Sequence, residues 1–231
     1  MGDMAKKKGK TGYWLMACAG VGVIAVLARK DFPDRLIEAR VKRELVKRWG
    51  REAAERILAS FRVQRDELRE DGRSARGIMG FHLTAARQGL ALYRALVEEL
   101  GEGVVAVDAV HQVIWETFLK TPSVLMGYLM GRSRDPFAVF ARGLDWVNAR
   151  VFPSPGWQRK QVEVEGGVGF DYTGCFYNDY LREMGDPELI PIFCEMDVRQ
   201  AECFPSQIEF VRTRTMAAGD DICDFRYYRR G

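Results

Sequence analysis

The stretch that decides the fold lies near the C-terminus and reads SQIEFVRTRTMAAGDDICDFRYYR, residues 206–229. Polar and apolar residues alternate at period two over 207–216 and again over 222–229, which is typical of half-buried strands. The loop AAGDD joins the two segments. The sequence therefore predicts an antiparallel hairpin, in which residues two apart share a face of the sheet.

The alternation assigns faces to the polar residues of this hairpin. On the second strand Cys223 and Phe225 point one way and Asp224 the other. On the first strand Arg212 and Arg214 share a face, where they could hold a carboxylate through bidentate hydrogen bonds. Ordinary cross-strand pairing of arginine with an acid explains the two arginines equally well.

The rest of the chain divides into two halves. Helical spacing of apolar residues recurs in four segments, at about 33–70, 75–100, 105–130 (interrupted by Pro122) and 135–150. After residue 152, RKQVEVEGG alternates as a strand, and two short helices broken at 185–187 follow. The sequence predicts an α+β domain over 31–231, with a helical half (31–150) and a small α+β half (151–231).

The first thirty residues form a separate segment. A lysine-rich head precedes Thr11 to Ala28, a run of 18 residues without a charge, which is at the short end of what spans a bilayer. We favour an N-terminal transmembrane helix within 1–30 that acts as an uncleaved membrane anchor. A secretory signal peptide is the main rival, and a buried soluble helix is the third interpretation. Basic residues are denser after the run, which predicts a single-pass protein with its soluble domain in the cytoplasm.

Composition excludes several classes of protein. The formal net charge of +3 is small for 231 residues and gives no reason to expect a nucleic-acid partner. Five cysteines, an odd number, argue against a disulfide-stapled secreted scaffold. No two of them have the close spacing of a zinc site, so the sequence implies no metal and no cofactor.

Two of the cysteines stand in polar surroundings. Cys175 precedes a predicted helix, whose start would lower the pKa of its thiol, whereas the carboxylate of Asp224 would raise the pKa of Cys223. A structural role for both thiols remains the leading interpretation, since free cysteine is usually a small buried hydrophobe. His111 is the candidate base for such a thiol, and His82 is expected to be a hydrogen-bonded core residue.

Two stretches together, YTGCFYNDYLREMGDPELIPIFCEMD (172–197) and FPSQIEFVRTRTMAAGDDICDFRYYR (204–229), carry a family pattern. Their spacing resembles that of the L-2-amino-thiazoline-4-carboxylic acid hydrolase family. The matching positions are Cys175, Gly185, Glu188, Leu189, Cys194, Glu195, Asp197, Thr213, Arg214, Thr215, Gly219, Asp220, Cys223, Asp224 and Phe225.

The resemblance implies hydrolytic opening of a five-membered ring of the cyclic amidine type. A thiolate or an activated water would attack the ring carbon between nitrogen and sulfur, and a general acid would protonate the departing atom. The implied catalytic residues are Cys223 or Cys175 as thiol and Asp224 or Asp220 as acid and base. Arg214, with Arg212 and His111, would bind the small-molecule substrate.

A second hypothesis comes from a different class. The C-terminal half is also similar in outline to 4-vinyl reductase-like domains, which hold small or lipophilic ligands without necessarily reacting them. On this interpretation the chain is a membrane-tethered ligand-binding or accessory subunit of a membrane protein complex that reuses the hydrolase fold.

Overall fold

The computed structural model describes residues 34–101 and 103–231. Its α-helices are α1 (Asp34–Arg69), α2 (Gly77–Leu100), α3 (Gly103–Ile114), α4 (Lys120–Gly131), α5 (Pro136–Val151), α6 (Phe176–Glu183) and α7 (Ile190–Ala201). The strands are β1 (Trp157–Val162), β2 (Gly167–Cys175), β3 (Ile208–Val211) and β4 (Cys223–Arg229). A π-helical turn (Trp115–Leu119) joins α3 to α4, and 3-10 turns lie at Pro187–Leu189 and Met216–Ala218. The prediction of a mostly helical α+β chain is confirmed.

The helical half forms as the apolar spacing predicts. Helix α1 consists of two segments that meet at Gly50, whose φ of 78° only glycine adopts readily. Helix α2 ends at Gly101, another left-handed glycine whose N–H bonds the carbonyl of Val97. Fully buried side chains of α1, α2 and α3 meet α6 and α7 in one core, which includes Leu45, Ile57, Phe61, Leu90, Leu96, Val110, Leu181 and Ile192.

The four strands form one antiparallel sheet in the order β1-β2-β4-β3. The predicted hairpin is confirmed, with Phe210 opposite Tyr227. Its first strand is shorter than predicted, because β3 ends at Val211 and the chain then leaves the sheet. The sequence missed β2, one of the two central strands, which pairs with β1 on one side and β4 on the other.

The inner face of the sheet is apolar and is covered by helices. Phe170 and Tyr172 of β2 lie opposite Phe225 and Cys223 of β4, so these four side chains share one face. Tyr227, on the same face, packs with Phe140 of α5 at a ring-centroid distance of 4.8 Å. Asp171 and Asp224 lie opposite each other on the outer face, so the predicted division of Cys223 from Asp224 is confirmed.

No helix among the described ranges 34–101 and 103–231 is long and apolar enough to cross a membrane. The transmembrane helix predicted within 1–30 lies outside these described residues. The described residues form the α+β part of the prediction, a mostly helical body with a small antiparallel sheet.

Candidate functional site

Three thiols gather between the inner face of the sheet and the helices. Cys223 begins β4, and Cys175 ends β2 and packs in the same apolar cluster. Cys194 lies on α7, and it is close enough to Cys175 and Cys223 for each of their charges to raise the pKa of its thiol. We call Cys175, Cys194 and Cys223 the thiol cluster.

An acid and an arginine lie beside the thiol cluster. Asp197 is three residues after Cys194 on α7, so the two side chains share a helix face. The guanidinium of Arg212 donates to Asp197 Oδ2 at 3.1 Å and to the carbonyl oxygen of Cys194 at 3.0 Å. Its charged group also lies over the ring of Phe225, 5.4 Å from the centroid. Because β3 ends at Val211, Arg212 turns inward beneath α7.

The Asp197 side chain lies deep in the protein and is still partly accessible. Burial raises the pKa of its carboxyl group, yet 35% of the side chain is accessible, whereas its partner Arg212 is only 8% accessible. Cys175 and Tyr177 are likewise partly accessible, although burial raises the pKa of both side chains. We infer that their accessible surface opens onto an internal recess rather than onto the outer surface.

Electrostatics in the recess favour a basic carboxylate and protonated thiols. Burial raises the pKa of Asp197 to about 6, although Arg212 opposes the rise. Burial also raises the pKa of Cys175 to about 11, against backbone N–H groups of α6 that favour the thiolate, and that of Cys194 to about 12. The pKa of Cys223 rises for the same reason, against the N–H of Met216, which donates to Sγ at 3.2 Å.

Asp224, a predicted acid-base residue, lies on the outer face with its acceptor positions engaged. Its Oδ1 accepts from the N–H groups of Thr213 at 2.8 Å and Arg214 at 2.6 Å, and its Oδ2 accepts from the Thr213 hydroxyl at 2.7 Å. Burial alone would raise the pKa of Asp224, but these hydrogen bonds outweigh burial and lower it. Asp224 therefore clamps the chain that follows β3, and we call this arrangement the outer clamp.

The other predicted residues of the hairpin loop lie near the clamp rather than in the recess. Asp220 Oδ2 accepts from the N–H of Thr215 at 2.8 Å, and the Asp220 carboxylate lies 3.7 Å from the guanidinium of Arg214. The Arg214 side chain is 46% accessible, whereas that of Arg212 is buried. The prediction that the two arginines share a strand face is wrong, because the strand ends before them.

His111, the predicted base, lies between α3 and α7. Its Nε2 is 3.7 Å from a carboxylate oxygen of Glu195. Burial lowers its pKa, while the nearby Glu195 charge opposes this shift. The charged groups that influence His111 are Glu195, Arg199 and Asp108, not the thiols. His111 thus lies beside Glu195 of α7.

His82, expected to be a core residue, is buried and hydrogen-bonded as predicted. Its Nε2 lies 2.7 Å from the carbonyl oxygen of Val151, so this nitrogen carries the proton. Nδ1 therefore accepts from the Tyr177 hydroxyl at 2.8 Å. Burial lowers the pKa of His82 to about 4 and keeps the ring neutral. The ring of Tyr177 stacks on Phe193, with centroids 4.1 Å apart, and reaches the recess beside Cys175.

The arrangement favours acid-base chemistry. Among the described residues, no three histidine, cysteine, aspartate or glutamate side chains are close enough to hold a metal ion. A carboxylate with a pKa near 6 can both take and return a proton near neutral pH. The recess therefore contains a proton-transfer group, a fixed positive charge and aromatic walls.

Residues 81–227 match the family model described as L-2-amino-thiazoline-4-carboxylic acid hydrolase, and this match includes the recess and the outer clamp. The chain belongs to this hydrolase family. No curated protein and no solved structure gave a significant match. The matched range starts one residue before His82 and ends at Tyr227, so it includes most of α2, the helices α3 to α7 and all but the last two residues of the sheet.

The sequence of this hydrolase family member did not indicate that Asp197 lies beside the thiol cluster and pairs with Arg212. Asp197 stood within the matching stretch, but no local motif marks it, because its partner Arg212 is 15 residues away and beyond a strand. The i,i+3 spacing of Cys194 and Asp197 on one helix could have indicated that the thiol and the carboxylate lie on the same helix face. Tyr177 was missed because its partner His82 lies 95 residues away in the chain.

Proposed function

We propose that the chain hydrolyses the ring of a small cyclic amidine-type thioether within the recess, with Asp197 as general base and then general acid. The observation that carries the proposal is a carboxylate that a buried arginine holds at a position that remains accessible. Burial raises the pKa of this carboxyl group to about 6. Hydrolysis of a C–N or C–S bond in such a ring requires one group to accept a proton and return it.

The reaction proceeds by addition of water and then ring opening. Asp197 takes a proton from water, and the water oxygen bonds to the ring carbon between nitrogen and sulfur, whose C=N electron pair moves to nitrogen. The oxygen then forms a C=O bond to the same carbon as the C–S or C–N bond breaks, and the bonding pair leaves with the departing sulfur or nitrogen. The remaining proton of the water oxygen passes to the ring nitrogen, and Asp197 gives its proton to the departing atom. The elements of one water molecule are added, and nothing is oxidised or reduced.

Arg212 has two roles in this scheme. Its hydrogen bond to Asp197 Oδ2 fixes the carboxylate and limits the rise of its pKa, so that Asp197 is mostly ionised at neutral pH. Its positive charge, against the face of Phe225, attracts a substrate carboxylate into the recess. Arg214 lies on the exposed side of the loop and would meet a substrate only at the entrance.

In this scheme the three thiols line the recess and do not attack the substrate. A nucleophilic cysteine needs a lowered pKa, because the thiolate is the reactive form. Burial raises the pKa of all three thiols of the cluster, and the Asp197 charge raises them further. An activated water is therefore favoured over a cysteine nucleophile.

A ring-opening assay in ¹⁸O-labelled water tests the proposal. With L-2-amino-thiazoline-4-carboxylic acid, the chain should form a product heavier by one labelled water, and Asp197→Asn should lower kcat at least about 100-fold. Glu195→Gln is the matched control, because Glu195 is on the same helix but 60% accessible. Unchanged turnover by Asp197→Asn in a folded protein would remove Asp197 from the mechanism.

A second candidate function, a ligand-binding or accessory subunit of a membrane protein complex, is favoured by a different observation. Four apolar side chains of α4 are exposed together, Val124, Leu125, Met126 and Tyr128. Affinity purification of the tagged chain from membranes tests this candidate. A stoichiometric partner and no ring opening would favour the subunit, whereas turnover by the isolated chain would favour the enzyme.

We also propose that the uncharged run Thr11 to Ala28 anchors the chain in a membrane, with the domain that follows on the cytoplasmic side. The run is 18 residues long and follows a lysine-rich head. The full chain should float with lipid vesicles after alkaline carbonate washing. Release by the wash would contradict the anchor.

A further inference from the structure

Three tyrosine side chains surround the carboxylate of Asp197. Burial raises the pKa of Tyr172, Tyr177 and Tyr227, and the Asp197 charge raises it further, so each phenol lies close to this carboxylate. Tyr172 and Tyr227 also share the inner face of the sheet, because both lie on the face that carries the buried aromatic side chains. Phenol hydroxyls therefore border the recess together with the thiol cluster.

Two of these three hydroxyls donate their proton to acceptors of the protein. The Tyr172 hydroxyl donates to Asn148 Oδ1 at 3.0 Å. The Tyr177 hydroxyl donates to His82 Nδ1 at 2.8 Å, because the other ring nitrogen of His82 donates to a backbone carbonyl oxygen. A hydroxyl carries a single proton, so neither of these tyrosines has a proton left to donate to a substrate.

Tyr227 is buried, but its hydroxyl is not engaged by the fold. Only 8% of the residue is accessible, yet the hydroxyl makes no hydrogen bond with any residue in 34–101 or 103–231. The ring stacks on Phe210 with centroids 5.1 Å apart, and the Arg212 guanidinium lies 5.9 Å from the centroid of the same Phe210 ring. Because an unpaired buried hydroxyl costs free energy, we expect a molecule bound beside Arg212 to pair with it.

The proposed addition of water needs a hydrogen-bond donor at the ring nitrogen. As the water oxygen bonds to carbon, the C=N electron pair moves to nitrogen, and a donor placed there stabilises the negative charge that develops. Asp197 is occupied by the attacking water, Arg212 by the two carboxylates, and thiols are weak donors. The Tyr227 phenol is available, because burial raises its pKa and keeps it protonated at neutral pH.

We propose that Tyr227 is a second catalytic residue of the recess, whose hydroxyl donates a hydrogen bond to the ring nitrogen of the substrate as water adds to the neighbouring carbon. The proposal rests on the proposed function and adds to it the group that stabilises the charge of the addition step. The phenol keeps its proton, since the proton that ends on the ring nitrogen comes from water. A donor that meets developing charge acts on the transition state, so its loss lowers kcat and leaves KM nearly unchanged.

Tyr227→Phe in the full chain tests the proposal through ring opening of L-2-amino-thiazoline-4-carboxylic acid. We expect kcat to fall about 100-fold, while KM changes less than about threefold. Tyr228→Phe is the matched control, because it removes a hydroxyl from the next residue of β4, on the opposite face of the sheet, and its kcat should equal that of the wild type. The urea midpoint of Tyr227→Phe should not fall, because the hydroxyl that it removes has no partner in the described part of the protein.

A second variant separates hydrogen-bond donation from packing. Replacing Tyr227 by 3-fluorotyrosine keeps the shape of the ring and makes the hydroxyl more acidic and a stronger donor. Its kcat should therefore be at least that of the wild type. A kcat as low as that of Tyr227→Phe would mean that the fit of the ring matters rather than the hydrogen bond, and would overturn the proposal.

The remaining outcomes overturn the proposal in distinguishable ways. Unchanged kcat in Tyr227→Phe would remove Tyr227 from the reaction and leave Asp197 in place. A raised KM with unchanged kcat would mean that Tyr227 binds the ground state of the substrate beside Arg212. A lower urea midpoint would mean that the protein itself pairs with the hydroxyl. A wild-type chain that opens no ring would contradict the proposed function and, with it, the role of Tyr227.

Discussion

Two carboxylates on opposite faces of the sheet differ in how they are bound. On the outer face, Asp224 accepts three hydrogen bonds and is 8% accessible. In the recess, Asp197 has one arginine partner and its side chain is 35% accessible. The pKa of Asp224 is lowered, and that of Asp197 is raised to about 6. Both carboxylates lie within the family's matched range. The hydrogen bonds of Asp224 therefore stabilise the fold, whereas Asp197 can still accept and donate a proton near neutral pH.

The outer clamp should give the largest effect on stability. Asp224→Ala removes three hydrogen bonds to a charged group and leaves two backbone N–H groups without their acceptor, so we expect the free energy of unfolding to fall by about 3 kcal/mol. Urea denaturation at pH 7 measures the loss, with Asp220→Ala as the control, for which about 1 kcal/mol or less is expected. Equal losses in the two variants would contradict the clamp.

The clamp should also weaken in acid. Because the pKa of Asp224 is lowered in the folded protein, its stabilising effect is present above the pKa of the unfolded chain and is lost as pH falls through the folded pKa. The difference in unfolding free energy between the wild type and Asp224→Ala should therefore shrink on acidification below pH 4.

Removing the arginine of the recess should give a smaller and pH-dependent loss. Arg212→Met leaves Asp197 without its ionic partner, and the expected cost is about 2 kcal/mol, below the usual range for a buried pair because the carboxylate remains partly accessible. Without Arg212 the pKa of Asp197 rises further above that of the unfolded chain.

A raised carboxyl pKa gives stability that is present at low pH and is lost as pH rises through the folded pKa. The Arg212→Met loss should therefore be greater at pH 8 than at pH 5 in urea denaturation. Arg214→Met, in the exposed half of the loop, should show no such pH dependence. A pH-independent loss for Arg212→Met would mean that the arginine contributes packing alone.

The thiols should give the smallest effect on turnover. Cys223→Ser and Cys175→Ser keep small side chains at the walls of the recess, and we expect kcat to change less than about threefold because the thiols stay protonated. Loss of a true nucleophile lowers kcat by orders of magnitude. A collapse of kcat in either variant would restore that cysteine as the attacking group.

Local patterns predicted much of this fold. Period-two alternation placed Cys223 and Asp224 on opposite faces, and helical spacing placed the helices to within a few residues. Strand β2 was missed because GVGFDYTGC contains three glycines and alternates weakly.

The site was harder to predict than the fold. It is assembled by contacts distant in the chain, Asp197 with Arg212 and His82 with Tyr177, which no local spacing reveals. Residues chosen by motif, such as Asp224, Asp220 and Arg214, lie instead at the clamp. Strand alternation sends Asp224 to the outer face, whereas Asp220 and Arg214 lie in the loop between β3 and β4.

The pH dependence of kcat/KM tests the central claim, that Asp197 and not a thiol performs the chemistry. Since kcat/KM reports the ionisations of the free enzyme, a base with a pKa of about 6 predicts one rising limb centred near pH 6 and a plateau above it. Arg212→Met should move that limb to higher pH. A rate that continues to rise about tenfold per pH unit beyond pH 8 would indicate a thiolate with the high pKa of the cluster and would contradict the account.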